Sequence, residues 1–350
     1  MTTVRRSIAC VAMLVIFAAR AQGLSPPVID TALPTYAART EVSGDIHCAG
    51  GSTMQDLAEE WARLFRFRHP RATVRIGHDT MLSAEGFAEL LEGRVNCVTF
   101  VREPFTAELS AFKAKFGYPP LVVNVAGGSY ATKGGTHAIA IYVNASNPLS
   151  RLTLTELDAI FSKSRHRGGT TAISTWGQLG LGGEWATRPI HVYTMLRRRD
   201  TANPPGIMNY LEQRLLLGGE FRDDVREQRD ASGEPALAAI VNRVAADPAG
   251  IGFSGFGFAV PGVKSMALAE TDGRAYFAGR LEQVASREYP LSRQIYLMVN
   301  RAPGRPLPPT MREFLLLALS REGQHAVAVD HTRFIPLSAA QATAARSQID

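Results

Sequence analysis

The chain is poor in cysteine, in long apolar runs and in charge blocks of one sign, and each shortage closes a class of function. Three cysteines in 350 residues cannot build a disulfide-stapled scaffold or a thiolate cluster. The eight histidines show no H-x-x-x-H or Cys/His ligand spacing, so no metal is expected. No Ser/His/Asp set can be assembled, and nothing positively indicates catalysis; the chain is expected to be a non-enzyme without a cofactor. The formal charge of +6 is spread along the chain, with no Lys/Arg block interleaved with aromatics, which argues against nucleic acid but suits an anionic ligand or surface. Beyond the first residues no apolar run is long enough to span a bilayer.

What is present begins with an address. Arg5 and Arg6 precede the apolar run Ile8 to Ala19, and Ala19-Arg20-Ala21 offers an A-x-A cleavage site, so residues 1–21 are expected to be a secretory signal peptide. Cys10 has no apolar stretch before it, so no lipid anchor is expected. The product is expected in the periplasm or outside the cell. There Cys48 and Cys97 either pair or remain as buried thiols. Pairing requires the β-like runs "DIHCAG" and "RVNCVTFV" to be neighbouring strands with Cα atoms within about 6 Å. Such a bridge contributes roughly 4 kcal/mol in the chain-entropy model.

A chain of this length exceeds one ordinary core, and two lobes are expected. Residues 22–43, with Pro26, Pro27 and Pro34, read as an irregular leader. Strand-like and helix-like segments then alternate, as in "DIHCAG" followed by a helix whose Met54, Leu57, Ala58, Trp61, Leu64 and Phe65 recur at helical spacing. This βαβ rhythm predicts an α/β fold of mostly parallel sheets flanked by helices. The apolar strands "HAIAIYVN" and "SRQIYLMVN" bracket the second block as crossings between lobes would. The division expected is 44–140 with 288–337 for one lobe, 141–287 for the other, and a frayed tail at 338–350.

Candidate site residues cluster at segment starts. Gly51-Ser52-Thr53 stands before the first helix, and Ser83 with Gly86 opens another; free amides, a positive dipole end and hydroxyls can hold an oxyanion without a metal. An ordinary cap explains each equally well taken alone. Arg102 and the run Arg197 to Asp200 follow strands, at carboxyl ends where open α/β folds bind ligands. "GIGFSG" matches G-x-G-x-x-G at Gly250, Gly252 and Gly255, yet it reads as strand and leads to Pro261-Gly262; a nicotinamide-dependent enzyme would need a helix there.

Taken together, "GGSTMQDLAEEWARLFRFRHPRATV", "SAEGFAELLEG", "NPLSRLTLTELDAIFS", "TWGQLGLGGEWATRPIHVY", "LGGEFRDDV", "GIGFSGFGFA", "YPLSRQIYLMVN" and "EFLLLALSREGQ" resemble the substrate-binding proteins of bacterial phosphate ABC transporters, over about residues 44–337. The resemblance implies the two-lobed type II periplasmic-binding-protein fold, joined by two hinge strands, with a small inorganic anion, phosphate, held between the lobes of a monomer and delivered to a membrane permease. It implies ligand contacts from Gly51, Ser52, Thr53, Ser83, Gly86, Arg102, Arg198, Asp200 and Thr201. Arg102 stands where the family has a Ser-Arg or Asp-containing position, and it cannot accept the proton of hydrogen phosphate as an acid does. His137 stands where relatives often carry an acid. After Arg198 and Asp200 the family's Ser-Gly-Thr is replaced by Thr201-Ala202-Asn203-Pro204-Pro205-Gly206, which removes hydroxyls and two backbone donors. Each lost bond to a charged group is worth roughly 1.5 to 3 kcal/mol, which predicts weaker capture or a pocket drifted to another anion or to a non-transport interaction role.

Overall fold

The computed structural model describes residues 28–38, 41–77, 82–197 and 205–349. The expected signal peptide, Cys10, and the site candidates Arg198, Asp200 and Thr201 lie outside the described residues. In chain order the first elements are β1 (Gly44–Gly50), α1 (Gln55–Arg68), β2 (Ala72–Ile76), α2 (Ser83–Glu92), β3 (Cys97–Phe100), α3 (Thr106–Phe116) and β4 (Leu121–Ser129). There follow β5 (Ile139–Asn144), β6 (Arg151–Thr153), α4 (Leu154–Phe161), β7 (His191–Met195), α5 (Gly206–Arg214), β8 (Arg226–Gln228), α6 (Ala236–Ala246) and β9 (Gly250–Gly255). The last are β10 (Val263–Ser265), β11 (Ala267–Ala269), α7 (Leu281–Ala285), β12 (Gln294–Val299), α8 (Pro309–Ala318), α9 (Arg321–Val329), β13 (Phe334–Ile335) and α10 (Ala339–Arg346).

Two larger sheets organise them, one in the order β13-β4-β12-β3-β1-β2 and one in the order β10-β5-β9-β7-β8. In these two sheets β1 pairs in parallel with β2 and β3, and β7 with β8 and β9, where intervening helices supply the long crossover that parallel strands need; β6 and β11 form a separate parallel pair. The expectation of mostly parallel sheets is therefore corrected to mixed ones. β12 enters antiparallel between β3 and β4, and β5 lies antiparallel to β9 and β10. These are the strands that carry the chain from one sheet to the other. The crossings touch: Gly128 donates to the Arg293 carbonyl at 2.7 Å and Ile139 to that of Leu291 at 3.1 Å.

The helical spacing of α1 buries Leu57, Ala58, Trp61, Ala62 and Phe65 along one stripe. Trp61 is fully buried and its indole N–H donates to the Gly323 carbonyl at 2.9 Å, at the start of α9. On β1 and β3, Cys48 and Cys97 are register partners with Cα atoms 4.3 Å apart, and they form the disulfide. α4 starts at a capping box, with Thr153 accepting from the Glu156 amide at 3.1 Å.

Both ends of the described chain are better packed than composition suggests. The described part of the leader is irregular, but Leu33 and Tyr36 are buried in the first core and the Tyr36 hydroxyl donates to Glu313 at 2.9 Å. The tail expected to fray is instead α10, capped by Ser338 through Gln341 and burying Ala342 and Ala345. "GIGFSG" is the buried strand β9, followed only by a short 3₁₀ turn at Phe256–Phe258, so the dinucleotide-loop alternative is closed.

Candidate functional site

A cavity of about 680 Å³ opens where the carboxyl ends of β3, β7 and β8 face one another. Ligands of open α/β sheets sit at such ends because the following loops and helix starts present unpaired amides there. Thr53, at the turn into α1, lines it, as do Leu82, Ser83 and Ala84 at the start of α2. From the opposite side come Pro205 and Gly206 at the start of α5, and Ala236 and Leu237 at the start of α6. Four helix starts thus share one space, and each brings the positive end of a backbone dipole.

Glycine permits this approach on the first-sheet side. Gly50 has φ +134°, and a Cβ there would lie 2.4 Å from the Thr99 carbonyl oxygen. A Cβ on Gly86 would lie 2.7 Å from the Gly50 backbone, so Gly86 lets α2 press onto the end of β1. Gly86 is a close-approach residue and does not line the cavity. Nor does Gly51, whose amide is already given to the Thr99 carbonyl at 3.0 Å. Ser52 is exposed and outside the lining. Gly51 and Gly86 thus stand at close approaches behind the lining residues.

Ser83 is buried and does reach the wall, with its hydroxyl donating to the Thr99 carbonyl and accepting from the Val101 amide, both at 3.2 Å. That hydroxyl ties α2 to the end of β3. Arg102 also lines the cavity, but its fork is closed: Nη1 and Nη2 donate to Glu108 at 2.9 and 2.6 Å, and Nη1 donates to the Glu103 carbonyl at 3.1 Å. The guanidinium lies 3.5 Å from the centre of the Phe105 ring. Glu108 in turn accepts from the Phe105 amide at 2.7 Å and so caps α3. Arg102 thus reaches the cavity as one half of a largely buried ion pair.

Two residues in the crossings complete the site. His137 is buried against Gly255, where a Cβ would come within 2.2 Å of the ring, and neither ring nitrogen has a well-formed hydrogen bond. Burial, and then the charge of Arg293, push its imidazole down to about 4, while the carbonyls of Gly135 and Thr132 pull the other way. It is neutral at neutral pH. Arg293 lines the cavity and was missed by sequence reasoning, because it precedes an apolar strand instead of following one. β12 runs antiparallel to β3, so its amino end reaches the same edge as the carboxyl end of β3. Among the described residues no group of acids, histidines and cysteines is placed to hold a metal ion, and no helix is long and apolar enough to cross a membrane.

A family model described as a PBP superfamily domain matches residues 35–322. The chain is 36% identical over 311 residues to the phosphate-binding protein PstS of Pseudomonas aeruginosa, covering 89% of this chain and 88% of that one. It is 26% identical over 349 residues to the protein SphX of Synechococcus elongatus, covering 99% and 90%. Among solved structures, PstS from Borrelia burgdorferi aligns with a TM-score of 0.54 at 15% identity, over 85% of this chain and 100% of that one. An ABC-type phosphate transport receptor from Vibrio cholerae aligns at 0.52 and 18% identity, over 83% and 99%. At these identities the structural likeness concerns the fold.

Proposed function

Because this chain belongs to the PBP superfamily and, within it, to the PstS family of phosphate-binding proteins with the type II periplasmic-binding-protein fold, we propose that its cleft captures phosphate for an ABC-type permease. The observation that carries the reading is the convergence of four helix starts on one cavity, where amides, hydroxyls and arginine can neutralise an oxyanion. On this reading the α2 start (Ser83, Ala84), Thr53 and the Gly206 amide donate to the anion. Arg198, Asp200 and Thr201, which precede α5 in the sequence, join them as the family resemblance implies, with Asp200 orienting Arg198 or accepting a ligand proton. The lobes are 44–140 with 288–337 and 141–287, the crossings between the two sheets acting as the hinge. The protein works as a monomeric, non-catalytic carrier outside the cytoplasmic membrane after loss of residues 1–21.

A second reading keeps the scaffold and changes the anion or the job, and it is favoured by two features of the wall. The Arg102 fork is closed by Glu108, and α5 begins after Pro205, which has no amide to give. Isothermal titration of phosphate, in buffer free of it, separates the two. Saturable heat with one anion per chain, and none with sulfate, is expected for a phosphate carrier. No heat at millimolar phosphate removes phosphate and leaves the second reading.

A further inference from the structure

We propose that Arg293 is an anion-holding residue of the cleft, with Glu103 and Tyr210 as the groups that position it; this rests on the anion-binding reading above. Arg293 sits immediately before β12, where its carbonyl accepts from Gly128 at 2.7 Å, so its backbone is pinned beside the end of β4. Its side chain is only 6% exposed, yet it lines the cavity. A buried cation there has to be held, and two groups hold it. Glu103, just past β3, accepts from Nε at 3.2 Å and from Nη2 at 2.6 Å. The guanidinium faces the ring of Tyr210 on α5, 5.1 Å from its centre, and the Tyr210 hydroxyl is itself fixed on the Ser292 carbonyl at 2.9 Å.

This arrangement occupies one edge and one face of the guanidinium. Nη1 makes no bond to any described residue, and its two hydrogens remain for a ligand. Arg102 is held differently: Glu108 takes both of its terminal nitrogens as a fork, Phe105 covers its face, and an anion displacing Glu108 would uncap α3, which leaves only Nε and one Nη2 hydrogen without a bond to a described residue. Glu103 leaves the Arg293 pair formally neutral, so the net positive potential comes from the surrounding helix starts and Arg293 contributes directed, charge-assisted hydrogen bonds. Its position also matters for closure. Arg293 lies in a crossing and touches Glu103 from the first sheet's side and Tyr210 from the second's, so an anion on Nη1 binds where both sides meet.

The test is phosphate titration calorimetry on the exported full chain and on Arg293→Gln, Arg293→Lys and Glu103→Gln, each checked by its thermal midpoint. Arg293→Gln is expected to bind phosphate at least about tenfold more weakly, and Arg293→Lys several-fold more weakly, because a point charge does not replace the fork. Glu103→Gln is expected to fall between wild type and Arg293→Gln, since it keeps the cation and loosens its aim. Wild-type phosphate affinity in a folded Arg293→Gln overturns the inference while leaving the phosphate reading intact. Where Arg293→Gln does not fold, unchanged affinity in Arg293→Lys does the same. A wild-type chain that takes no phosphate overturns both together.

Discussion

The two walls of the cleft hold their helix starts in different ways. On the first-sheet side the chain uses small residues and hydroxyls: Gly50 and Gly86 allow backbone-to-backbone approach, and Ser83 ties α2 to the end of β3. On the second-sheet side α5 and α6 both start after proline, at Pro205 and Pro235. Neither proline has a capping hydroxyl or an amide. The first amide of α6 is moreover taken by Asp230, which accepts from Ala236 at 2.8 Å. The convergence of four dipoles is therefore symmetric in arrangement and unequal in donor capacity. The second wall therefore depends on side chains: exposed Arg229, just past β8, lines the cavity, and buried Arg293 keeps the two hydrogens of Nη1.

The comparison breaks most visibly at Arg102. Were it a ligand group, its removal would chiefly weaken binding; as the partner of buried Glu108 its removal strands a carboxylate at the start of α3. Arg102→Met is expected to cost about 4 kcal/mol of stability in urea unfolding at neutral pH. A loss well under 1 kcal/mol would mean the pair is not structural, and the contrast between the two arginines would fail.

A somewhat smaller effect is expected at the junction of the walls. The His137 imidazole, depressed to about 4 in the folded chain, binds its proton near 6.5 when unfolded. Between those values the unfolded state holds more protons, so stability falls as pH drops from about 6.5 to about 4, by on the order of 3 kcal/mol. His137→Gln should flatten that part of the stability–pH curve relative to wild type. An unchanged slope would show that other groups set it.

Much of the fold was legible because local patterns agreed with tertiary ones. The stripe of Leu57, Trp61 and Phe65 marks α1, the Thr153–Glu156 pair marks the start of α4, and the runs around Cys48 and Cys97 are the adjacent strands a bridge requires. The tail was misjudged although Ser338 and Gln341 stand at capping-box spacing, because "AAQATAAR" carries little apolar signal of its own. The sheets were misjudged because a βαβ rhythm says nothing about β12 returning antiparallel between β3 and β4. That same insertion hid Arg293. Its partner Glu103 is 190 residues away, whereas Arg102 follows β3 directly and satisfies the local rule for a ligand residue. Gly51 and Gly86 stand where a side chain would collide with Val101 and with the Gly50 backbone, a constraint that sequence spacing alone does not reveal.

The most direct test of the shared anion site is to crystallise the chain with arsenate, a phosphate-like oxyanion whose arsenic gives an anomalous signal, and to locate that signal. A single peak in the cleft, within hydrogen-bonding reach of the α2 start at Ser83 and Ala84 and of Nη1 of Arg293, is the expected result. A crystal in which the arsenic sits only outside the cleft contradicts it.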